Sequence, residues 1–403
     1  MGYQTVLVVL DTVDTLIEKC RFADAKEMIQ QILLEDIEGG SDRELLGRYF
    51  LTLGKINVWT NVNDIEPFER AIEIFRSDDL AVERYGEALL WKGMALRRTA
   101  KFPEAREALR TASTWFNHLG LPEQEARALD SIGYCAGQEG NIEVACAAYE
   151  KAIELFRSED NRVKVRLSVL GLARIYVNVG RLQAAKEILI SCPISRSDLG
   201  DPVAVYYNTT LGMVFTQLGE YLEAGRLIKA IRESASKQPS LHALYWQERG
   251  RLRYNEGEFE AALKAFKKAH EIAGDDSDMT CGVIRWMGEC CLSLERLGLA
   301  KGYADHALTI SKTNGDRWIM AASKRVLAGV CSLKGDSQSA RQMYRAAIDE
   351  FKRIKHEYEL AITRQRAAES DLFSEDQSKE WQRQADEYFD RESVIRNGNG
   401  QGA

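Results

Sequence analysis

Proline is scarce in this chain, with six in 403 residues, and long apolar runs are lacking. Because proline disrupts helix interiors, its scarcity favours long helices joined by short connections. The apolar segment near the start, Val6 to Leu10, is far too short to span a bilayer, and neither a basic segment nor a small-residue cleavage site accompanies it. We therefore expect no signal peptide and no membrane span, and we expect a cytoplasmic chain, either a whole protein or a region of a larger regulator.

Catalytic signatures are lacking as well. The sequence contains no phosphate-binding G-x-x-x-x-G-K-[ST] loop, no G-x-G-x-x-G, no G-x-S-x-G, no H-E-x-x-H and no C-x-x-C. Its five histidines are spread along the chain, and no nucleophile or orienting partner for any of them is visible in the sequence. We therefore expect no enzymatic activity, no cofactor and no metal site.

The eight cysteines do not form a disulfide framework, which indicates reduced thiols. Cys290 and Cys291 are adjacent, which raises the alternative of a redox or metal site. Metal ligands must converge on one point, whereas adjacent residues of a helix point to different sides. We therefore interpret these cysteines as small apolar core residues.

The net charge of −7 favours solubility and gives no electrostatic reason to bind DNA or RNA. A nucleic acid is therefore not the partner that we expect.

A small residue returns at a steady interval along the chain. Successive spacings lie between 38 and 41 residues, and the series implies nine clear units and a weaker tenth. The positions are Val13, Gly54, Gly93, Gly133, Ala173, Gly212, Gly250, Gly288, Ala328 and Ala368.

Each unit has the pattern of two amphipathic helices. Apolar residues recur at helical spacing on both sides of a turn, such as the one that contains Gly140. The small residues Gly133 and Ala145 would let the two helices approach closely, and the large Tyr149 would fill the space between neighbouring hairpins. A single hairpin cannot bury its apolar face, so the core must come from stacking.

The series Trp246, Gly250, Gly257, Phe259, Ala262, Phe266 and Ala269 resembles the tetratricopeptide repeat. The period departs from the 34 residues usual in that family, and the closing proline is mostly absent, so the chain is similar to the long-repeat members found in bacterial signal-responsive regulators of the maltose-activator kind and in adaptor proteins. The resemblance implies an all-α, right-handed superhelical solenoid of antiparallel helix pairs with nine to ten repeats.

On this basis the solenoid spans 1–396, followed by a disordered tail at 397–403. The predicted units lie near 6–38, 46–78, 86–118, 126–158, 166–198, 205–236, 243–274, 281–313, 321–353 and 360–391.

The resemblance also implies that the first helix of each unit lines the concave face, which places a set of polar and aromatic residues in a groove. Arginine binds carboxylates with two hydrogen bonds, and aromatic rings offer flat apolar contacts. The alternative is that the arginines only pair with nearby carboxylates, as Arg285 would with Glu289. The predicted binding residues are Arg97, Tyr134, Arg174, Asn178, Gln217, Gln247, Arg251, Tyr254, Arg285, Trp286, Glu289 and Arg325.

Two functions fit these features. The first is a non-catalytic scaffold or adaptor that binds a protein or peptide, acidic or extended, along the concave face. The second is a ligand-sensing module of a signal-transduction or transcription-control system. A homodimer through the terminal repeats is a further alternative, since end units must cover or solvate one face.

Overall fold

The computed structural model describes residues 3–32, 43–60, 62, 64–76, 81–194, 196–274 and 279–395. Within these ranges the chain forms 21 helices and no strand. The predicted all-α architecture of consecutive helix pairs is confirmed. The predicted tail at 397–403 and the ends of the first two predicted units, 33–38 and 77–78, lie outside the described residues.

The chain divides into two compact units, Met1–Leu172 and Ala173–Ala403, and the division falls inside the ninth helix. The helices as far as this one are α1 (Tyr3–Glu18), α2 (Phe22–Ile29), α3 (Arg43–Trp59), α4 (Glu66–Arg76), α5 (Val82–Arg98), α6 (Phe102–Leu119), α7 (Pro122–Gln138), α8 (Ile142–Ser158) and α9 (Arg162–Val179).

Twelve further helices follow, as counted over the described residues. They are α10 (Leu182–Ser191), α11 (Arg196–Leu218), α12 (Tyr221–Ala230), α13 (Arg232–Ala235), α14 (Pro239–Asn255), α15 (Phe259–Ala273), α16 (Thr280–Ser293), α17 (Leu297–Asn314), α18 (Arg317–Leu333), α19 (Ser337–Arg353), α20 (Glu357–Ala368) and α21 (Glu375–Arg391).

The turn between the two helices of a pair follows a common pattern. In the seventh pair Gly257 has φ of 81°, and the amide of Glu258 donates to the carbonyl of Arg253 at 2.9 Å. This closure satisfies a carbonyl that the helix end leaves without a partner, and the left-handed residue in it favours glycine. The turn therefore ends one helix and starts the next within a few residues.

Glycine permits close packing inside the pairs, as the small-residue series predicts. A carbon added at Gly250 would lie 2.7 Å from the Phe266 ring, and one added at Gly133 would lie 2.8 Å from the Tyr149 ring. At Gly212 the nearest neighbour would be 3.4 Å away, an ordinary contact. The first two positions therefore require glycine for steric reasons, whereas Gly212 has room for a methyl group.

Tyr149 also joins neighbouring pairs in the first unit. A carbon added at Gly171, on the first helix of the next pair, would lie 2.6 Å from the Tyr149 ring. The ring is buried between the two glycines. The prediction that this residue fills the space between neighbouring hairpins is confirmed.

The tenth pair departs from the predicted register by one residue. Ala367 is fully buried beside Ala328 and Tyr344, whereas the predicted small residue Ala368 is only partly buried. The helix that carries it, α20, has 12 residues and is shorter than the first helices of the three preceding pairs. Because the repeat interval reflects the longer helices of the earlier pairs, it predicts the buried small residue of this helix one position too late.

None of the helices in the described ranges combines the length and the apolar character needed to cross a membrane.

Candidate functional site

The predicted binding residues of the first unit form an exposed cation–aromatic pair. The guanidinium carbon of Arg97 lies 5.0 Å from the centre of the Tyr134 ring. Tyr134 is 36 % exposed, and its other contact is the edge of the Phe102 ring, at a centroid distance of 6.3 Å. The α5 and α7 helices therefore present a flat aromatic surface with a positive charge over it.

In the second unit, two predicted residues are exposed and one is partly buried. Arg174 and Asn178 lie one turn apart on α9, and both are exposed. Gln217 on α11 is partly buried, and its side-chain oxygen accepts no hydrogen bond from any residue that the structure describes.

The predicted residues of α14 and α16 meet through an arginine and an indole. Arg251 forms an ion pair with Glu248 at 3.4 Å, and its guanidinium carbon lies 5.5 Å from the centre of the Trp286 ring. Gln247 donates to the same Glu248 carboxylate at 3.1 Å. Glu248 is buried, so its negative charge is compensated within this group.

Three predicted residues lie deeper, on α16 and α18. Glu289 is 0 % exposed, and one of its oxygens, Oε1, lies 2.8 Å from Arg325 Nη2 and 3.5 Å from Arg285 Nη1. Arg285 is 0 % exposed and Arg325 is 2 % exposed. The pairing of Arg285 with Glu289 that the sequence suggests as an alternative is therefore present.

Sequence reasoning missed the partners that α20 brings to these residues. Glu359 Oε2 lies 2.5 Å from Arg325 Nη1, and Arg366 Nη1 lies 2.6 Å from Glu289 Oε2. Arg366 also donates to the Tyr254 hydroxyl on α14 at 2.9 Å. We refer to Arg285, Glu289, Arg325, Glu359 and Arg366 as the arginine cluster.

The spacing of Glu359, Thr363 and Arg366 is the one signal that could have revealed them. These residues are four and three positions apart, which places them on one face of a helix. The repeat pattern describes contacts between consecutive pairs, whereas Arg366 reaches α16 and α14. Periodicity alone therefore could not predict that side chains of α20 would reach three earlier first helices.

The sequence predicts an open groove here, but in this part of the second unit the predicted groove residues are buried. The structure brings Tyr254, Arg285, Glu289 and Arg325 together, as expected, but buries all four of them. The side chains of Glu359 and Arg366 on α20 reach the surface formed by α14, α16 and α18, which we call the inner surface, while Trp286 and Trp318 flank Arg285. The binding role of these residues stays a prediction.

Electrostatics hold the two carboxylates of the cluster in the charged form. Burial would raise the pKa of Glu289, but Arg366, Arg325 and Arg285 lower it well below the usual range. Burial likewise opposes ionisation of Glu359, yet Arg325 and Arg285 lower its pKa to about 2. Both groups are therefore anions at neutral pH.

Arg285 is the least satisfied member of the arginine cluster. Its three guanidinium nitrogens form no hydrogen bond with any described residue. The guanidinium carbon lies 4.0 Å from the centre of the Trp286 ring and 4.9 Å from that of Trp318, so the group is held mainly between two indoles. Burial lowers the pKa of Arg285 to about 10, which leaves it charged at neutral pH.

The C-terminal hairpin, which we define as α20, α21 and residues 392–395, also contacts the beginning of the second unit. The Tyr388 hydroxyl donates to the Gly180 carbonyl at 2.7 Å, and the Ile395 amide donates to the Leu218 carbonyl at 2.8 Å. The Gln183 side chain donates to the Glu392 carbonyl at 2.9 Å.

These contacts form a docking seam in which glycine is required. A carbon added at Gly180 would lie 2.6 Å from the Tyr358 amide nitrogen, and one added at Gly219 would lie 2.4 Å from the Ile395 carbonyl oxygen. The last hairpin of the second unit therefore packs closely on the turns of two of its earliest helices.

A separate pocket of about 380 Å³ lies between α14 and α15. Two of its four cations are paired, Arg253 with Glu256 and Glu258, and Lys268 with Glu271. Among the described residues Arg249 and Lys264 have no carboxylate partner, so this pocket also presents uncompensated positive charge. Its lining residues are Trp246, Arg249, Arg253, Ala261, Lys264, Ala265 and Lys268.

The cysteines are free thiols. Cys290 and Cys291 are both fully buried, which confirms their interpretation as core residues, and burial raises the pKa of each thiol. In the part of the chain that the structure describes, no group of three or more His, Cys, Asp or Glu side chains is arranged to hold a metal ion.

Two family models match parts of the sequence. Residues 65–192 match the model "Soluble NSF attachment protein, SNAP", and residues 243–276 match the model "Tetratricopeptide repeat". The second match covers the segment whose residues carry the resemblance described above. No curated protein matches the sequence.

Solved structures of bacterial regulators are similar in fold. The apo form of the quorum sensor NprR from B. thuringiensis superposes with a TM-score of 0.66 at 15 % identity, over 86 % of this chain and 99 % of that one. The apo form of RapI gives 0.66 at 18 % identity, over 87 % and 98 %. NprR in complex with its cognate peptide NprX gives 0.55 at 14 % identity, over 96 % and 99 %. At these identities the likeness establishes the helical-repeat fold.

Proposed function

We propose that this chain is a non-catalytic binding module that holds a peptide or protein segment against the first helices of its repeats. The observation that carries the proposal is the concentration of arginine and aromatic side chains on those helices. Arg97 with Tyr134 and Arg251 with Trp286 are two such pairs. Arginine and aromatic residues are the side chains that most often anchor a bound segment.

A ligand-sensing role is the second candidate, and the C-terminal hairpin favours it. A plain scaffold needs its binding surface open, whereas here Arg285, Glu289 and Arg325 are buried, and α20 supplies Glu359 to Arg325. A surface that must be uncovered before it binds couples binding to a change of structure. NprR, whose fold is similar, has been solved with its cognate peptide, which supports a peptide as the ligand class.

The partner that fits these residues is an extended segment with acidic groups, because arginine forks complement carboxylates. A nucleic acid fits poorly with a net charge of −7. The free cysteines favour a reducing compartment, for which we propose the cytoplasm. Association of two copies through the terminal repeats would cover end faces that a finite stack leaves open, and analytical ultracentrifugation tests it.

The test is selection of peptides from a random library on the wild type, followed by calorimetric measurement of affinity with variants. Tyr134→Ala and Arg174→Ser change exposed first-helix residues, so they should leave the fold intact. We expect each variant to bind the selected peptide about tenfold more weakly than the wild type, which corresponds to the loss of one anchor contact.

The matched control is Arg110→Ser, which removes an exposed arginine from the second helix α6. It should leave the affinity unchanged. If Tyr134→Ala, Arg174→Ser and the control bind the peptide with equal affinity, the first helices are not the binding surface.

A further inference from the structure

The arginine cluster contains more positive than negative charge. Three guanidinium groups, those of Arg285, Arg325 and Arg366, face the two carboxylates of Glu289 and Glu359. The nearby Arg251 does not alter the balance, because it is paired with the buried Glu248.

Glu369 at the end of α20 is a third carboxylate near the cluster, and it interacts with Arg366. His356, which stacks on Trp318, and the Tyr254 and Tyr344 hydroxyls are neutral at pH 7, because burial favours their uncharged form. The helices α16 and α18 themselves contribute the guanidinium groups of Arg285 and Arg325 and the carboxylate of Glu289, which is an excess of one positive charge.

This excess is concentrated on Arg285. Buried guanidinium groups normally donate several hydrogen bonds, because burying a charge without them is costly. Arg285 is 0 % exposed, yet among the described residues its only polar contact is the 3.5 Å approach to Glu289, which does not have hydrogen-bond geometry. Its N–H groups can thus donate to an anion without breaking any hydrogen bond that the structure records.

The geometry shows that one carboxylate can serve Arg285 and Arg325 together. Glu289 Oε1 lies 3.5 Å from a nitrogen of the first and 2.8 Å from a nitrogen of the second. The two guanidinium groups are therefore close enough for a second carboxylate to bridge them. Glu359 accepts a hydrogen bond from Arg325 but none from Arg285, so it does not bridge the two guanidinium groups.

Glu359 belongs to the C-terminal hairpin, which contacts the beginning of the second unit. The C-terminal hairpin contributes Glu359 and Arg366 to the arginine cluster, while its own attachment includes the docking seam at Gly180 and Gly219. If the hairpin withdraws, Glu359, Arg366 and Glu369 leave together. Arg285 and Arg325 then face Glu289 alone, and the excess of one positive charge persists.

We propose that Arg285 and Arg325 form a receptor for a single carboxylate of a ligand, and that this carboxylate takes the place of Glu359 when the C-terminal hairpin withdraws. The inference rests on the proposed peptide-binding function and adds to it the chemical group that is recognised and the segment that controls access. A monoanion neutralises the excess charge, whereas a phosphate dianion would leave a buried negative charge.

The probe is N-acetylglycine, which has one carboxylate, and the comparison compound is its amide, which has the same shape without the charge. Binding is followed by the intrinsic fluorescence of the tryptophans, of which Trp286 and Trp318 flank Arg285. The variant Gly180→Ala places a methyl group against the Tyr358 amide and should release the hairpin. Its matched control is Gly257→Ala, because Gly257 has the same φ of 81° and no neighbour within 4 Å.

We expect Gly180→Ala to bind N-acetylglycine at least tenfold more tightly than the wild type, and Gly257→Ala to match the wild type. The amide should not bind, and Arg285→Met in the Gly180→Ala background should abolish the response. If Gly180→Ala does not fold, Gln183→Ala replaces it, because this change removes only the side-chain bond to Glu392.

Three outcomes would overturn the inference. The first is the same affinity in all variants, and the second is a response that survives Arg285→Met. The third is an equal response to sodium chloride at the same ionic strength, which would mean an adventitious ion only. A carboxylate response without any selected peptide would contradict the proposed function alone, whereas peptide binding without an Arg285-dependent carboxylate response would contradict this inference alone.

Discussion

Arg366 on α20 donates a hydrogen bond of 2.9 Å to the hydroxyl of Tyr254 on α14, 112 residues earlier in the sequence. In a regular repeat stack each hairpin contacts only its neighbours. Here the Arg366 side chain of the last hairpin reaches α16 and α14 and joins a largely buried group of charges. The second unit is therefore a closed arrangement, and its stability depends on contacts that can be tested one at a time.

The two buried arginines should respond differently to removal of their charge. Arg325→Met leaves Glu289 and Glu359 with too few partners, so we expect a loss of about 3 to 5 kcal/mol in the free energy of unfolding. Arg285→Met leaves two arginines facing two glutamates, so we expect a loss below about 1 kcal/mol or a gain. Urea unfolding measures both, and equal losses would contradict the charge balance.

Glycine in the first helices should be required only where packing is close. Gly250→Ala places a carbon 2.7 Å from the Phe266 ring, so we expect it to destabilise the fold by about 1 to 3 kcal/mol. Gly302→Ala is the matched control, because it lies inside α17 with no neighbour within 4 Å and should stabilise by roughly 0.5 to 1 kcal/mol. Thermal unfolding of both variants would show whether the two changes have opposite signs.

Most of the fold could be predicted from the sequence, but the closed arrangement could not. Gly133 and Gly250 recur with the repeat period because they make contacts within and between consecutive hairpins, and such contacts are local in sequence. The approach of Tyr388 to Gly180 involves residues 208 positions apart and leaves no periodic signal. The repeat pattern therefore predicts that Arg285, Glu289 and Arg325 lie near one another, but it does not predict their burial.

The stability should depend on pH through His356. Burial lowers the pKa of His356 to about 4, against the opposing effect of Glu359. The unfolded chain binds this proton near pH 6.5 and the folded chain does not, so lowering the pH favours unfolding. We expect a loss of roughly 1.5 kcal/mol between pH 6.5 and 5, above the ordinary carboxyl pKa of 4.5 near which protonation of Glu289 and Glu359 in the unfolded chain begins to contribute.

His356→Asn is the control for this effect. The backbone amide of Glu359 donates to His356 Nδ1 at 3.5 Å at the start of α20, and asparagine can accept the same bond without titrating in this range. Chemical denaturation at pH 6.5 and 5 should show a smaller difference in the variant than in the wild type. An undiminished difference would assign the pH dependence to other groups.

The docking seam should limit opening of the C-terminal hairpin. Tyr388→Phe removes the hydrogen bond to the Gly180 carbonyl and leaves that oxygen without this partner, so we expect α20 and α21 to exchange amide hydrogens about five- to tenfold faster. Tyr206→Phe, at an exposed tyrosine of α11, is the control and should not change these rates. Unchanged exchange in Tyr388→Phe would mean that the seam does not hold the hairpin.

Hydrogen exchange of α20 in the wild type, with and without a peptide selected on it, tests the central claim most directly. If the ligand carboxylate takes the place of Glu359, the amides of Glu357–Ala368 should exchange faster when the peptide is bound, while those of α16 and α18 become more protected. Exchange in α20 that slows or stays constant on binding would contradict withdrawal of the C-terminal hairpin.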